Sequence, residues 1–378
     1  MKPMKPLSAP SRRALALSLI TTALLAACGG GVEPEKEKPH ENTTINTAGR
    51  LALAEKDSKT LRLHDLDSGS IEASHTLEQV PAAVYPSPSG RHAVVMQRLH
   101  DQVQFVDGGI WQEDHGDHLH DYKQGSKLLA WKLAGVRPTH YDLQAGKQAA
   151  IFMDGNSAAS PVQNAGVRLI TEASIAAGNT VASLDLSAPL HGLAEPVDNK
   201  LLAVSRAADA ADTLPTHLNL YQRNGSGYTL ERQIPTRCNG LHGSYSSGSS
   251  TVAGCSNGML LVRHTGASTV DNGQLISTPL RVGTLAGHPR LPDQFIGIAT
   301  EGVAPAVVTT RFYALNGSTG AVSDFTPQGW EAGRLRRAHG FDRSGQRFFI
   351  LDDQGTLTVA QRSGSTWTNL ARIPGALP

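Results

Sequence analysis

A repeat constrains this chain more than any other feature. Seven segments share one pattern, a turn rich in Gly, Asp, Asn or Ser followed by a short β-prone apolar run. They open at Gly49-Arg50-Leu51, Ser89-Gly90-Arg91, Ala145-Gly146-Lys147, Asp198-Asn199-Lys200, Gly248-Ser249-Ser250, Pro292-Asp293-Gln294 and Ser344-Gly345-Gln346. Six intervals separate Leu51 from Arg347, with a mean near 49 residues. One propeller blade of four strands takes roughly 40–50 residues. Most of the runs lead into a second one with period-two alternation, such as Thr60-Leu61-Arg62-Leu63-His64-Asp65-Leu66, the mark of a half-buried strand. Helical patterning is confined to the N-terminus, whereas an α/β fold needs long amphipathic helices between its strands. The fold expected is all-β, a β-propeller of seven blades, with eight as the alternative count. A strand near residues 43–46 is a candidate to complete the last blade.

The N-terminus reads as an export signal. Lys2, Lys5, Arg12 and Arg13 precede an apolar run over residues 14–27, too short to cross a bilayer. It ends in Leu25-Ala26-Ala27-Cys28-Gly29, which resembles the bacterial lipobox; an ordinary signal with an incidental Cys is the alternative. Residues 1–28 are therefore expected to be a lipoprotein signal with Cys28 lipidated. Residues 29–44, charged and poor in large apolar groups, form a flexible tether, and 45–378 a single propeller domain. Gly29 is not the Asp that commonly retains lipoproteins at the inner membrane, so the outer membrane is favoured as the anchor. Cys238 and Cys255 remain, 17 positions apart in a chain bound for an oxidising compartment. A disulfide between them is expected, against a reduced pair that binds metal. A net charge of +1 without a basic cluster argues against nucleic-acid binding, and a monomer is expected.

The chain has 15 histidines, and five stand just ahead of the repeated unit: His140, His191, His242, His288 and His339. Their successive separations are 51, 51, 46 and 51. Equivalent positions on five blades would ring one mouth of the channel, and three or four imidazoles meeting there would make a zinc site. A Gly-His pair that only braces its own blade is the competing account. His140, His191 and His242 are the favoured ligands. His100 holds a similar place in the second blade, and Asp154, Glu301 and Asp352 follow the second strands toward the same mouth.

The stretch Glu113-Asp114-His115-Gly116-Asp117-His118-Leu119-His120-Asp121 offers seven potential ligands in nine residues. An extended chain presents His118 and His120 on one face, and Gly116 lets His115 fold back beside them. A solvated polar loop is the bland alternative. Imidazole suits zinc, copper and nickel. The candidate ligands are thus His100, His115, Asp117, His118, His120, His140, His191 and His242.

Residues 106–120, Val-Asp-Gly-Gly-Ile-Trp-Gln-Glu-Asp-His-Gly-Asp-His-Leu-His, resemble the signature stretch of AztD-type periplasmic zinc chaperones. Pro138-Thr139-His140, the His242 segment within the Cys238/Cys255 loop, and His339-Gly340-Phe341-Asp342 are similar to that family too. The resemblance runs from about Leu51 to the C-terminus. It implies a propeller that binds Zn2+ in the periplasm and hands it to the solute-binding protein of a zinc ABC transporter. It also implicates the histidine-rich loop and the channel-mouth histidines. A mobile loop beside a preformed ring would let zinc change hands one ligand at a time. The lipid anchor is a departure, since a freely diffusing chaperone needs none. The residues leave two other classes as alternatives: a metal-dependent propeller hydrolase or lactonase, and a lipid-anchored scaffold for protein–protein interaction. No isolated acid/base pair stands out to support the first. The second has no need of so dense a ligand set.

Overall fold

Every repeated apolar run forms a strand in the computed structural model, which describes residues 44–376 apart from 212, 266–268, 303–305, 331 and 365. The export signal, Cys28 and residues 29–43 lie outside the described residues. Seven sheets of three or more strands follow one another along the chain, each an antiparallel meander. Helix among the described residues is limited to Glu172–Ala177 and the 3-10 turn Arg98–His100. The fold is the all-β propeller expected from the repeat.

In six sheets the repeated run is the second strand. His92–Gln97, Gln148–Met153 and Ser250–Cys255 are buried at all six of their positions. A strand covered on both faces by neighbouring sheets has no solvent side to alternate with, so its apolar residues run continuously. Phe152, Leu202, Leu220 and Leu260 belong to one core cluster that spans the third, fourth and fifth sheets. Phe312, Phe348, Phe341 and Trp367 pack together between the sixth and seventh.

The first sheet departs from this pattern. Its repeated run, Arg50–Ala54, is the first of only three strands, and Leu51 and Leu53 stay 46% and 45% exposed. Over its described residues, 44–46, the strand expected near 43–46 is not formed. Residues 44–49 have no regular structure, and the Ile45 amide donates instead to Asp121 Oδ2 at 2.8 Å. The last sheet has no vacancy for it, because Thr366–Ile373 supplies its fourth strand.

Six sheets open with a strand that leads the meander. For the third, fourth and fifth these are Pro138–Gln144, Ala194–Val197 and His242–Ser247, which pack against one another around the axis. Bulges interrupt the register at their starts: between Pro138 and His140, between His242 and Ser244, and again between Val282 and Thr284 in the sixth sheet. A bulge adds one residue on one side and re-aims the side chains beside it. Gly243 is the extra residue in the fifth sheet, at φ +67°, and a Cβ there would meet the Gly283 carbonyl oxygen at 2.7 Å. Only glycine fits both demands.

Cys238 and Cys255 are joined, with Cα atoms 5.1 Å apart and both residues fully buried. The bond ties the approach to the fifth sheet's inner strand to the end of its second strand. Closing a loop of this length stabilises by about 3 kcal/mol.

Candidate metal centre

Three of the five spaced histidines converge. His140 and His242 stand at the bulged starts of their inner strands, and His191 just before Ala194–Val197. One nitrogen from each lies within 4.8 Å of the others, and the ring centroids are 5.1–5.2 Å apart. Nitrogens about 2.0–2.1 Å from one ion are roughly 3.3 Å from each other, so small rotations would close this set.

Two of the rings are held by their outer nitrogens. His191 Nδ1 is 3.0 Å from Asp154 Oδ2, and His242 Nδ1 is 2.9 Å from the Gly283 carbonyl. An Nδ1–H donated outward leaves Nε2 bare and facing inward, the usual arrangement around a metal. Arg98 completes the outer layer, with Nη2 2.8 Å from Asp154 Oδ2 and Nε 2.9 Å from Thr139 Oγ1. Burial works to raise the Asp154 carboxyl, but hydrogen bonds from His191 and Arg98 outweigh it and keep the group ionised. Burial drives His140 down to about 4, helped by His191 and His242, so this imidazole is neutral and ready to ligate at pH 7.

The other candidates fall elsewhere. His288 follows the sixth sheet's inner strand, Val282–Gly287, instead of preceding it, and packs on Phe341. By register the residue there that corresponds to His242 is Val282, and the Gly283 carbonyl beside it anchors the His242 ring. His339 lies within Arg336–Phe341, 3.1 Å from Arg336 Nη1 and against Phe348. A ring of five is therefore not formed. His100 is exposed on the turn Arg98–His100 and does not join the trio; the side chain that reaches in from this turn is Arg98. Of the three carboxylates considered, only Asp154 reaches the trio. Glu301 pairs with Arg311, and Asp352 with Arg334.

The histidine-rich stretch forms a separate hairpin, Ile110–Asp114 against Leu119–Lys123, inserted between the third and fourth strands of the second sheet. Gly116, at φ +90°, makes the tip turn, and His115, His118 and His120 gather with centroids 4.7–5.1 Å apart. Asp117 Oδ1 lies 2.6 Å from His118 Nδ1. The hairpin base is stiff: Trp111 stacks on Tyr122 at 4.8 Å, and the Arg91 guanidinium lies 3.9 Å over Trp111. It leaves the sheet beside Asp107, which pairs with His92 just after the turn that ends the inner strand. The trio occupies the end where inner strands begin. The loop expected beside the ring is thus at the opposite mouth of the channel, where it walls a cavity of about 770 Å3 with Arg91 and Arg343.

A feature that sequence reasoning missed lies on the same three inner strands. Asp142 and Glu195 are both buried, and each is pushed upward mainly by burial, Glu195 to about 7 and Asp142 well above the carboxylate range. The folded state thus holds protons that an unfolded chain releases above about pH 4. Stability from this pair is complete below that pH and is lost as pH rises through 7. Calorimetry of the metal-free protein should show its melting temperature falling between pH 6 and 8. In Glu195→Gln, which cannot ionise there, the fall should be smaller.

No family model matches this chain. Over 225 residues, 59% of this chain, it is 29% identical to the zinc chaperone AztD of Citrobacter koseri. The match takes in 50% of that protein, so the chain spans about half the length of the curated relative it matches. The crystal structure of Citrobacter koseri AztD superposes with a TM-score of 0.57 at 18% identity, covering 86% of this chain and 94% of that one. Chaetomium thermophilum Sqt1, solved with the N-terminus of ribosomal protein L10, gives 0.53 at 14% identity, covering 86% and 83%. Those structural likenesses speak to fold alone. The resemblance drawn from the residues around His115 is borne out at both levels: this chain is similar to AztD-type zinc chaperones in sequence and in fold.

Proposed function

We propose that this protein is a zinc metallochaperone of the periplasm that delivers Zn2+ to the solute-binding protein of a zinc ABC transporter. The observation that carries this is the trio itself, three imidazoles on adjacent inner strands with nitrogens within 4.8 Å. Three ligands leave a coordination position open, through which an acceptor's own ligand can enter before the ion leaves. An enzyme would use that position to activate water and needs an acid or base beside it. Among the described residues no further His, Cys, Asp or Glu joins the group; Asp154 Oδ2 is engaged by His191 and Arg98, while its Oδ1 is buried without a hydrogen-bond partner. The similarity to a zinc chaperone favours a carrier over a hydrolase. Cys28 carries the lipid, residues 29–44 tether the propeller domain of 45–378 to the outer membrane, and the protein works as a monomer.

The hairpin collects zinc at the far mouth. Replacing His115, His118 and His120 together by alanine should leave equilibrium affinity at the trio within about threefold. It should slow zinc uptake about tenfold, the scale on which a capture surface alters on-rates. Stopped-flow mixing with a zinc indicator separates the two quantities. The function itself is tested by mixing zinc-loaded protein with the solute-binding protein in excess chelator. Transfer that survives the chelator supports direct hand-over; zinc that appears only in the chelator sinks it, as would turnover of ester or lactone substrates.

A further inference from the structure

The channel carries a second set of donors on the strands that present the trio. Asp142 follows His140 by two positions, Glu195 follows His191 by four, and Ser244 follows His242 by two. With Ser246, Tyr85 and Tyr141 they line a cavity of about 190 Å3. Asp142 Oδ2 accepts from the Ala194 amide at 3.1 Å, and its Oδ1 is 3.5 Å from Ser244 Oγ. The hydroxyls of Ser244 and Ser246 lie beside Glu195 and counter part of the rise that burial imposes on its carboxyl. Glu195 is 1% exposed, and its Oε2 has no hydrogen-bond partner. Among the described residues, no lysine, arginine or histidine pairs with either carboxylate.

A buried carboxylate oxygen without a partner is costly, and a pair of such groups facing one polar cavity calls for a positive charge between them. We propose that Asp142 and Glu195, with the hydroxyls of Ser244 and Ser246, form a second divalent-cation site inside the channel, a step between the hairpin's mouth and the histidine trio. This rests on the metallochaperone reading and adds a route to it. Two strand residues span about 7 Å, so an ion at the carboxylates is one short move from His140. An all-oxygen set holds a borderline-soft ion such as zinc more loosely than imidazoles do, which suits transit, and it accepts harder ions as probes.

Mn2+ and Co2+ separate the two sites in the purified protein. Mn2+ reports oxygen ligation through loss of the free-ion EPR signal, and Co2+ reports tetrahedral imidazole ligation through its visible absorption. Glu195→Gln should lose one equivalent of bound Mn2+, weakening that site at least tenfold, while the Co2+ spectrum persists and certifies the fold. If Glu195→Gln takes up no Co2+, Ser244→Ala/Ser246→Ala should weaken the same Mn2+ equivalent several-fold. The proposal is overturned if the protein binds no Mn2+, or if a Glu195→Gln protein with an intact Co2+ spectrum binds Mn2+ as before. Absence of the Co2+ spectrum from the unmodified protein, with Mn2+ still bound in a Glu195-dependent way, would refute the trio and leave the channel site standing.

Discussion

Alanine at both His191 and His242 will strip this protein of tightly bound zinc, whereas alanine at both His288 and His339 will not. Zinc held by a full ligand set in small domains is bound by roughly 10–16 kcal/mol, or about 3 kcal/mol per ligand. Removing two imidazoles should then cost about 6 kcal/mol, on the order of 10⁴-fold in affinity. Chelator-competition titration at neutral pH measures this directly. His288 and His339 are spaced like the others but point elsewhere, one onto Phe341 and one between Arg336 and Phe348. The contrast removes the alternative that these histidines only brace their own blades. On that account His191→Ala/His242→Ala would melt earlier yet keep its zinc, and that outcome would end the proposal.

Spacing found the trio and also produced the false members. His140, His191 and His242 are separated by equal steps of 51, and the structure brings them together. The step of 46 to His288 marked a different phase. The sixth sheet's inner strand begins at Val282, so a histidine six residues on falls past its end. Strand ends cannot be fixed by periodicity alone, and here the slip is a whole strand length. The hairpin's place was legible by parity. It follows the third strand of a meander, which runs parallel to the first, so it must emerge where the inner strand ends and not where it begins. The bulges that aim His140 and His242 were hidden, apart from Gly243. Asp142 and Glu195 were hidden too, because Ala194-Glu195-Pro196-Val197 carries no repeat signature. Which carboxylates face the axis follows from the register and from nothing in local composition.

Asp154→Asn should weaken zinc binding by about 10–100-fold although the residue belongs to the layer behind the trio. Partners of this kind orient a ligating histidine and raise its basicity, and their loss typically costs that much. Here there is a second effect. Asp154 Oδ2 accepts from both His191 and Arg98, at 3.0 and 2.8 Å, so its charge cancels the guanidinium beside the site. Asparagine keeps the shape and can still accept from Nδ1, but it leaves Arg98 as an uncompensated cation facing a doubly charged ion, in a partly buried setting where salt screens less than at the open surface. The complementary change has the opposite sign. Arg98→Gln frees the negative charge of Asp154 next to the metal, so affinity should hold or rise. Competition titration of the two variants, with melting temperatures as the check on folding, decides the matter. If both weaken zinc equally, or Asp154→Asn changes affinity less than twofold, the pair serves the fold and not the metal.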